Sequence, residues 1–339
     1  MYDVVTIGDT FLDLFVWPES AKVISSRDFP SGKGLAFDYG GKITLKEIDF
    51  QIGGSAANTA VSFARLGADI AIFSTVGDDQ RGDDFIDYFQ KEGIDVSFIE
   101  RRSAAIKNQS IILSFGGDRT ILAYHSGVDP IEYIPNKNLK TRWIYLAPFY
   151  GKNIEVENRI VELIAKNGCG LFWNPGGLQI KKGISENRHL LRLCNAIFLN
   201  KEELEKFCDR PKTTVENLMK VVYSAGAKLV VVTDGKEGAK CFDGSVFYKI
   251  STTDDKRVDA TGAGDAFASS FVAAIISDCR EKPQKYIPER TTIEKALKWG
   301  IVVSGSVVGQ IGSQPGLLTK SEVEKRVEKL VKLGIKVYA

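Results

Sequence analysis

The nine residues Asp259-Ala260-Thr261-Gly262-Ala263-Gly264-Asp265-Ala266-Phe267 bring two chemical parts together at close spacing. Gly262 and Gly264 let backbone N–H groups turn outward at the start of a helix, where unpaired amides and the macrodipole attract an anion. Asp265 falls in the first turn of that helix, with its carboxylate beside the anion. Such a pair suits phosphoryl transfer. The amides of Gly262, Ala263 and Gly264 hold the moving phosphate, and Asp265 accepts the proton of the attacking hydroxyl. Its place at the helix dipole is expected to favour the charged form, making Asp265 a modest base. Read as structure alone, the same Asp is an ordinary first-turn residue and the glycines a connecting turn.

Four further stretches carry candidate chemistry. Asp13 interrupts the apolar run Phe11-Leu12-Asp13-Leu14-Phe15, either on the wet face of a strand or as an acceptor for ligand hydroxyls. Gly53-Gly54 ends a strand and opens a small-residue helix that places Asn58 about one turn in, with Gly67 as its C-cap. Asn200-Lys201-Glu202-Glu203 follows a strand end, where ligands bind in doubly wound sheets, although Asn and Glu at that spacing also make a capping box. Thr233-Asp234-Gly235-Lys236-Glu237-Gly238 leaves the strand Leu229–Val232; blandly read, it is a turn into the next strand.

Composition removes several other chemistries. Lys+Arg of 45 against Asp+Glu of 43 leaves no basic face for nucleic acid, and only two histidines speak against a His-built zinc site or triad. Cys169, Cys194, Cys208, Cys241 and Cys279 are scattered, without a Cys-x-x-Cys pair, as in a reducing cytoplasm. The N-terminus lacks a signal-peptide pattern, and no window is apolar over the ~18 residues of a membrane span. The glycine turn of a dinucleotide fold is missing after the first strand, where the chain reads Gly8-Asp9-Thr10.

The elements that must position these residues alternate along the chain. Strands are expected at 2–7, 69–75, 143–146, 170–174, 196–199 and 228–233, with helices at 82–92, 154–166, 202–207 and 215–224 between them. Near-continuous apolar strands such as Leu229-Val230-Val231-Val232 belong in a parallel sheet covered on both faces. A hairpin at 239–250 leads into the nonamer. The run Ala263–Ile276 is apolar on nearly every side and reads as a buried helix. A polar loop at 280–291 and helices at 293–308 and 320–333 complete the chain. Two β-rich segments stand apart from this pattern, the second with a hairpin turning at Gly116-Gly117-Asp118. They suggest a small β lid of residues 15–50 and 96–125 over an α/β core of 1–14, 51–95 and 126–339.

Taken in order, the stretches at 8–13, 53–58, 174, 200–203, 233–238, 259–267 and 312–315 resemble the motifs of the PfkB (ribokinase-like) carbohydrate kinases, across essentially the whole chain. The resemblance implies a three-layer α/β/α sandwich with a mostly parallel sheet and a β lid. It implies a sugar kinase using ATP and Mg2+. Asp13, Gly53, Gly54, Asn58 and Asn174 would bind the acceptor. Asn200, Thr233, Gly235 and Gly238 would line the nucleotide. Glu203 would act on Mg2+ through water. Asp259, Thr261 and the loop at Gly312 would hold a monovalent cation such as K+ through carbonyl oxygens, although Gly316 stands where many relatives carry Ser. A homodimer through the lid is also implied. Other readings are a nucleoside kinase of the same family and a catalytically silent sensor of sugar or nucleotide; the intact Asp265 and glycines speak against the sensor.

Two departures bear on the acceptor. Phe11 stands where ribokinases carry Asn, and Ala147-Pro148-Phe149-Tyr150 replaces a stretch where they tend to place an acid. Both changes would add aromatic surface, so free ribose is not expected to be the best substrate; another hexose or keto-sugar ranks first and a nucleoside second, the alternative being that Phe11 and Phe149 face the core and touch no ligand. Arg119 and Lys107 in the lid hairpin are the charges that would meet a phosphate or carboxylate on the acceptor.

Overall fold

The computed structural model describes residues 1–29, 32–103, 109–116, 118–124, 139–149, 154–210, 213–253, 255–279, 283–330 and 334–339. Lys107, Gly117 and Tyr150 lie outside the described residues. Central strands are apolar on both sides because each faces two layers. Val4 packs into one core cluster and Val5 into the other; Trp143 and Ile144, and Val231 and Val232, divide the same way. This period-two alternation between two dry faces requires a sheet covered by helices above and below.

The sheet has nine strands. From one edge, Ile70–Phe73, Tyr2–Ile7, Thr141–Leu146, Gly170–Trp173, Cys194–Asn200 and Val230–Thr233 run parallel. Ala239–Phe242, Phe247–Ile250 and Lys336–Tyr338 then extend it antiparallel. The C-terminal ends of the parallel strands therefore lie along one rim, which is where open α/β sheets bind ligands. Sequence patterning missed the last strand, which is three residues long, and the helices Gly177–Glu186 and Arg188–Leu191, which have few apolar positions.

The helix Ala263–Asp278 is buried without a break from Ala266 to Ile276. Ser269 and Ser270 are tolerated there because their hydroxyls are satisfied: Ser269 Oγ donates to Ser62 Oγ at 2.7 Å, and Ser270 Oγ to the Ala266 carbonyl at 2.7 Å. The helix packs against Ser55–Arg65 and Arg290–Val308. No described helix is long and apolar enough to cross a membrane.

The lid is a four-stranded sheet ordered Asp118–Tyr124, Gln109–Phe115, Phe11–Pro18, Leu45–Gly53. It begins at Phe11 and reaches Gly53, so the expected borders at 14 and 51 fall inside its strands. Glu100–Arg102 does not join it but pairs with Thr75–Gly77, and Lys22–Ser25 with Lys33–Ala36 makes a separate hairpin. Register puts Asp13 opposite Gln51 and Ser110, and Arg119 opposite Ser114. With alternation along each strand, these five side chains share one lid face.

Candidate active site

Gly262 has a left-handed backbone (φ 72°) and caps the buried helix. A Cβ there would come within 2.3 Å of the Ser313 Cβ, so close packing on the 309–316 loop also calls for glycine. Among the described residues, the Gly262 and Gly264 amides have no backbone acceptor, whereas Ala263 N–H donates weakly to the Ala260 carbonyl at 3.3 Å. Two of the three expected anion-hole donors are thus open and the third is partly engaged.

Asp265 projects from the first turn of this helix. Its Oδ2 accepts from Asn58 Nδ2 at 2.8 Å. The Asn58 carbonyl in turn accepts from Ser313 Oγ at 2.8 Å and Gln314 Nε2 at 3.1 Å. Two donors on its oxygen leave the amide only one way round, with its NH2 toward Asp265. Gln314 is itself held: its Oε1 accepts from the Tyr88 hydroxyl, and its carbonyl accepts from Arg65, which is doubly bonded to Glu92. Asn58, expected at the acceptor, is thus hydrogen-bonded to Asp265. Ser313 and Gln314 lie in the 312–315 stretch that the sequence marks, but their hydrogen bonds to Asn58 become visible only where that loop meets the Asn58 helix.

Burial raises the Asp265 carboxyl above its ordinary value, against the lowering hydrogen bonds from Asn58 and Ser55. The sequence argument from the helix dipole pointed to a carboxyl held in its charged form. Burial acts the other way and raises it.

Asp13 is buried, and burial pushes its carboxyl up to about 6 against a hydrogen bond from Ser110; the charges of Asp265 and Asp259 push the same way as burial. Gly53 lies against it: a Cβ there would come within 1.9 Å of Asp13 Oδ2. Phe11 lies on the Asp13 side of its strand, but Phe149 belongs to a core cluster and adds no aromatic wall. Enclosure by strands that are distant in sequence decides for Phe149 between the two readings the sequence left open.

Two cavities flank Asp265. One, of about 220 Å3, is lined by Asp265, Gly262, Gly264, Asn174, Asn200 and Glu203. Asn200 and Glu203 do form a capping box, with Asn200 Oδ1 accepting from Glu203 N and Glu203 Oε2 from Asn200 N, both at 2.8 Å. Burial raises the Glu203 carboxyl, the Asn200 N–H lowers it, and the Asp265 charge raises it further. The second cavity, of about 380 Å3, includes Thr233, Gly235 and Gly238. Thr253, Arg257 and Ser304 also line it, with Phe267 from the nonamer; as single residues in loops and helices the first three had no motif to announce them. The two cavities meet at Gly264, Thr233 and Phe267, which line both.

Asp259, Thr261 and Gly312 also converge. Asp259 Oδ1 accepts from Thr261 N at 3.0 Å and Thr261 Oγ1 at 2.8 Å, and its Oδ2 accepts from Gly312 N at 3.1 Å. Arg119 reaches down from the lid and places Nη1 3.2 Å from the same Oδ1.

The family model described as pfkB family carbohydrate kinase matches residues 31–320. The chain belongs to the pfkB family. It is a phosphotransferase with an alcohol group as acceptor and a ribokinase-like fold. It is 24% identical over 329 residues to an ATP-dependent 6-phosphofructokinase of Thermoanaerobacterium thermosaccharolyticum, covering 92% of this chain and 89% of that one. Arabidopsis thaliana ribokinase complexed with ribose and ATP superposes with a TM-score of 0.76 at 18% identity, over 96% of this chain and 99% of that one. An E. coli ribokinase-like protein in complex with ATP and Mg2+ gives a TM-score of 0.71 at 19% identity, over 97% of this chain and 100% of that one. The parallel-strand rim of this kinase thus carries both its cavities and Asp265.

Proposed function

We propose that this kinase transfers the γ-phosphoryl group of ATP to a hydroxyl of a small sugar, with Asp265 as the base. The observation that carries the reading is the pairing of Asp265 with open helix amides. The carboxylate is oriented by Asn58 and lines the same cavity as Gly262 and Gly264. The acceptor oxygen forms a bond to the γ-phosphorus as the bond from phosphorus to the β-bridging oxygen breaks and its electron pair leaves with ADP. The hydroxyl proton passes to Asp265. The 262–264 amides take up the charge on the transferring oxygens.

Nucleotide binding is assigned to the larger cavity, with Thr233, Gly235 and Gly238 along the phosphates and Asn200 at their end. No three His, Cys, Asp or Glu side chains converge among the described residues, which suits Mg2+ held by phosphate oxygens and water, with Glu203 in its outer shell. That ion would neutralise phosphate charge. Asp13, Gly53, Gly54 and Asn174 are assigned to the acceptor, under a lid that closes over it.

A keto-sugar or another hexose is the preferred acceptor. Phe11 on the Asp13 face leaves fewer polar contacts for free ribose, and the phosphofructokinase relative acts on a ketohexose by name. Arg119 Nε is enclosed and has no acceptor among the described residues; a phosphate or carboxylate on the sugar would satisfy it. The lid's other face exposes Ile48, Phe50, Leu122 and Tyr124, and a second copy covering it would give a homodimer.

An ADP-release panel across pentoses, hexoses, sugar phosphates, sugar acids and nucleosides tests the assignment. Hexoses or their phosphates are expected to exceed ribose in kcat/KM. A wide margin for ribose would remove this account of the pocket, and a nucleoside in first place would move the acceptor to the nucleoside class.

A further inference from the structure

Asp259 is buried, and a buried carboxylate needs a compensating charge. The family resemblance assigns that charge to a monovalent cation held with Thr261 and Gly312. At the carboxylate the residues here do not fit that arrangement. Thr261 N, Thr261 Oγ1 and Arg119 Nη1 converge on Oδ1, and Gly312 N occupies Oδ2. Arg119 is the one cation paired with Asp259 among the described residues. A second positive charge at Oδ1 would meet the guanidinium and gain little.

The guanidinium is not part of the core. Arg119 sits on the outermost strand of the lid sheet, on the face it shares with Asp13 and Gln51. Gln51 makes a second lid contact, against the 309–316 loop: a Cβ on Gly312 would come within 1.8 Å of Gln51 Oε1. Gly312 donates to Asp259, and its neighbour Ser313 packs on Gly262. Lid, loop and anion-hole turn are therefore in direct contact, and the positive charge enters from the lid.

We propose that Arg119 takes the place of a monovalent cation at Asp259, so that this kinase needs no K+ and its anion-hole turn is charge-balanced only while the lid is closed. The inference extends the kinase reading, but its test needs no acceptor turnover. Wild type, Arg119→Met, Arg119→Lys and the double variant Arg119→Met/Asp259→Asn are melted with MgATP in sodium, potassium and caesium chloride at matched ionic strength. Wild type and Arg119→Lys are expected to melt at one temperature in all three salts. Arg119→Met vacates the carboxylate, so its melting temperature should rise in potassium or caesium over sodium by on the order of 2 °C. The double variant should lose that response. Potassium-selective stabilisation of the wild type, or indifference of Arg119→Met to the salt, would overturn the proposal. A wrong sugar assignment would leave all four melting curves unchanged.

Discussion

The catalytic floor and the lid solve opposite problems. The floor hangs on a helix buried from Ala266 to Ile276, and Asp265 is reached through a chain of neutral hydrogen bonds from Gln314 and Ser313 through Asn58. The lid is a single sheet with an apolar outer face in solvent, and it presents charged groups inward: Asp13 and Arg119. In the proposed mechanism a buried floor would hold a base and open amides within the tolerance phosphoryl transfer requires. In the lid, Asp13 is bonded to Ser110 of its own sheet, whereas Arg119 finds its partner, Asp259, across the rim. Substitutions in the floor should therefore act on kcat, and substitutions in the lid on acceptor KM and on pH response.

The largest effect is expected at the base. Asp265→Asn should lower kcat by about 10²–10⁴, the usual contribution of a positioned base, and leave ATP affinity close to wild type by calorimetry. Unchanged turnover would reduce Asp265 to a helix-capping residue and the floor to a scaffold.

Asn58→Ala should come next. It removes the donor that orients Asp265 and leaves Ser313 and Gln314 without their shared acceptor. A loss in kcat of roughly 10–10² is expected, smaller than that for the base itself because Ser55 still faces Asp265. If steady-state kinetics show only a raised acceptor KM, Asn58 belongs with the acceptor and not with the floor.

Asp13→Asn sharpens the comparison from the lid side. The Asp13 carboxyl is held up at about 6, above its ordinary 3.8. Between those values the folded chain keeps a proton that the unfolded chain has released, so stability falls as pH rises from about 4 to 6 and stays low above. A rise from 3.8 to about 6 corresponds to about 3 kcal/mol. The Asn variant should therefore melt higher than wild type at pH 8, with the gap closing below pH 4. Its acceptor kcat/KM should be reduced and should lose the wild-type rise through pH 6. Equal melting temperatures at pH 8 would mean that the Asp13 charge is already compensated without ligand.

Much of this was legible in the residue order. Gly262-Ala263-Gly264-Asp265, the buried run that follows, Gly53-Gly54 and the strand-end positions of Asn200 and Thr233 are local patterns. Local patterns survive folding because backbone conformation and apolar periodicity act over a few residues. The two-faced sheet followed from strands such as Val230–Thr233 for the same reason. Other features depended on contacts across hundreds of positions. The rise of the Asp265 carboxyl was decided by enclosure, which no spacing encodes. Asn58 turned toward Asp265 because the 309–316 loop supplies both donors to its side-chain carbonyl. Phe149 went to the core and Phe11 to the lid face, although both are aromatic residues beside a strand. Arg119, one charge in an exposed hairpin by sequence, met Asp259 only because the lid sheet folds over the rim. Long-range packing sets solvation and charge pairing, and these set chemistry; the chain alone determined which groups were available, and the tertiary structure decided which of them meet.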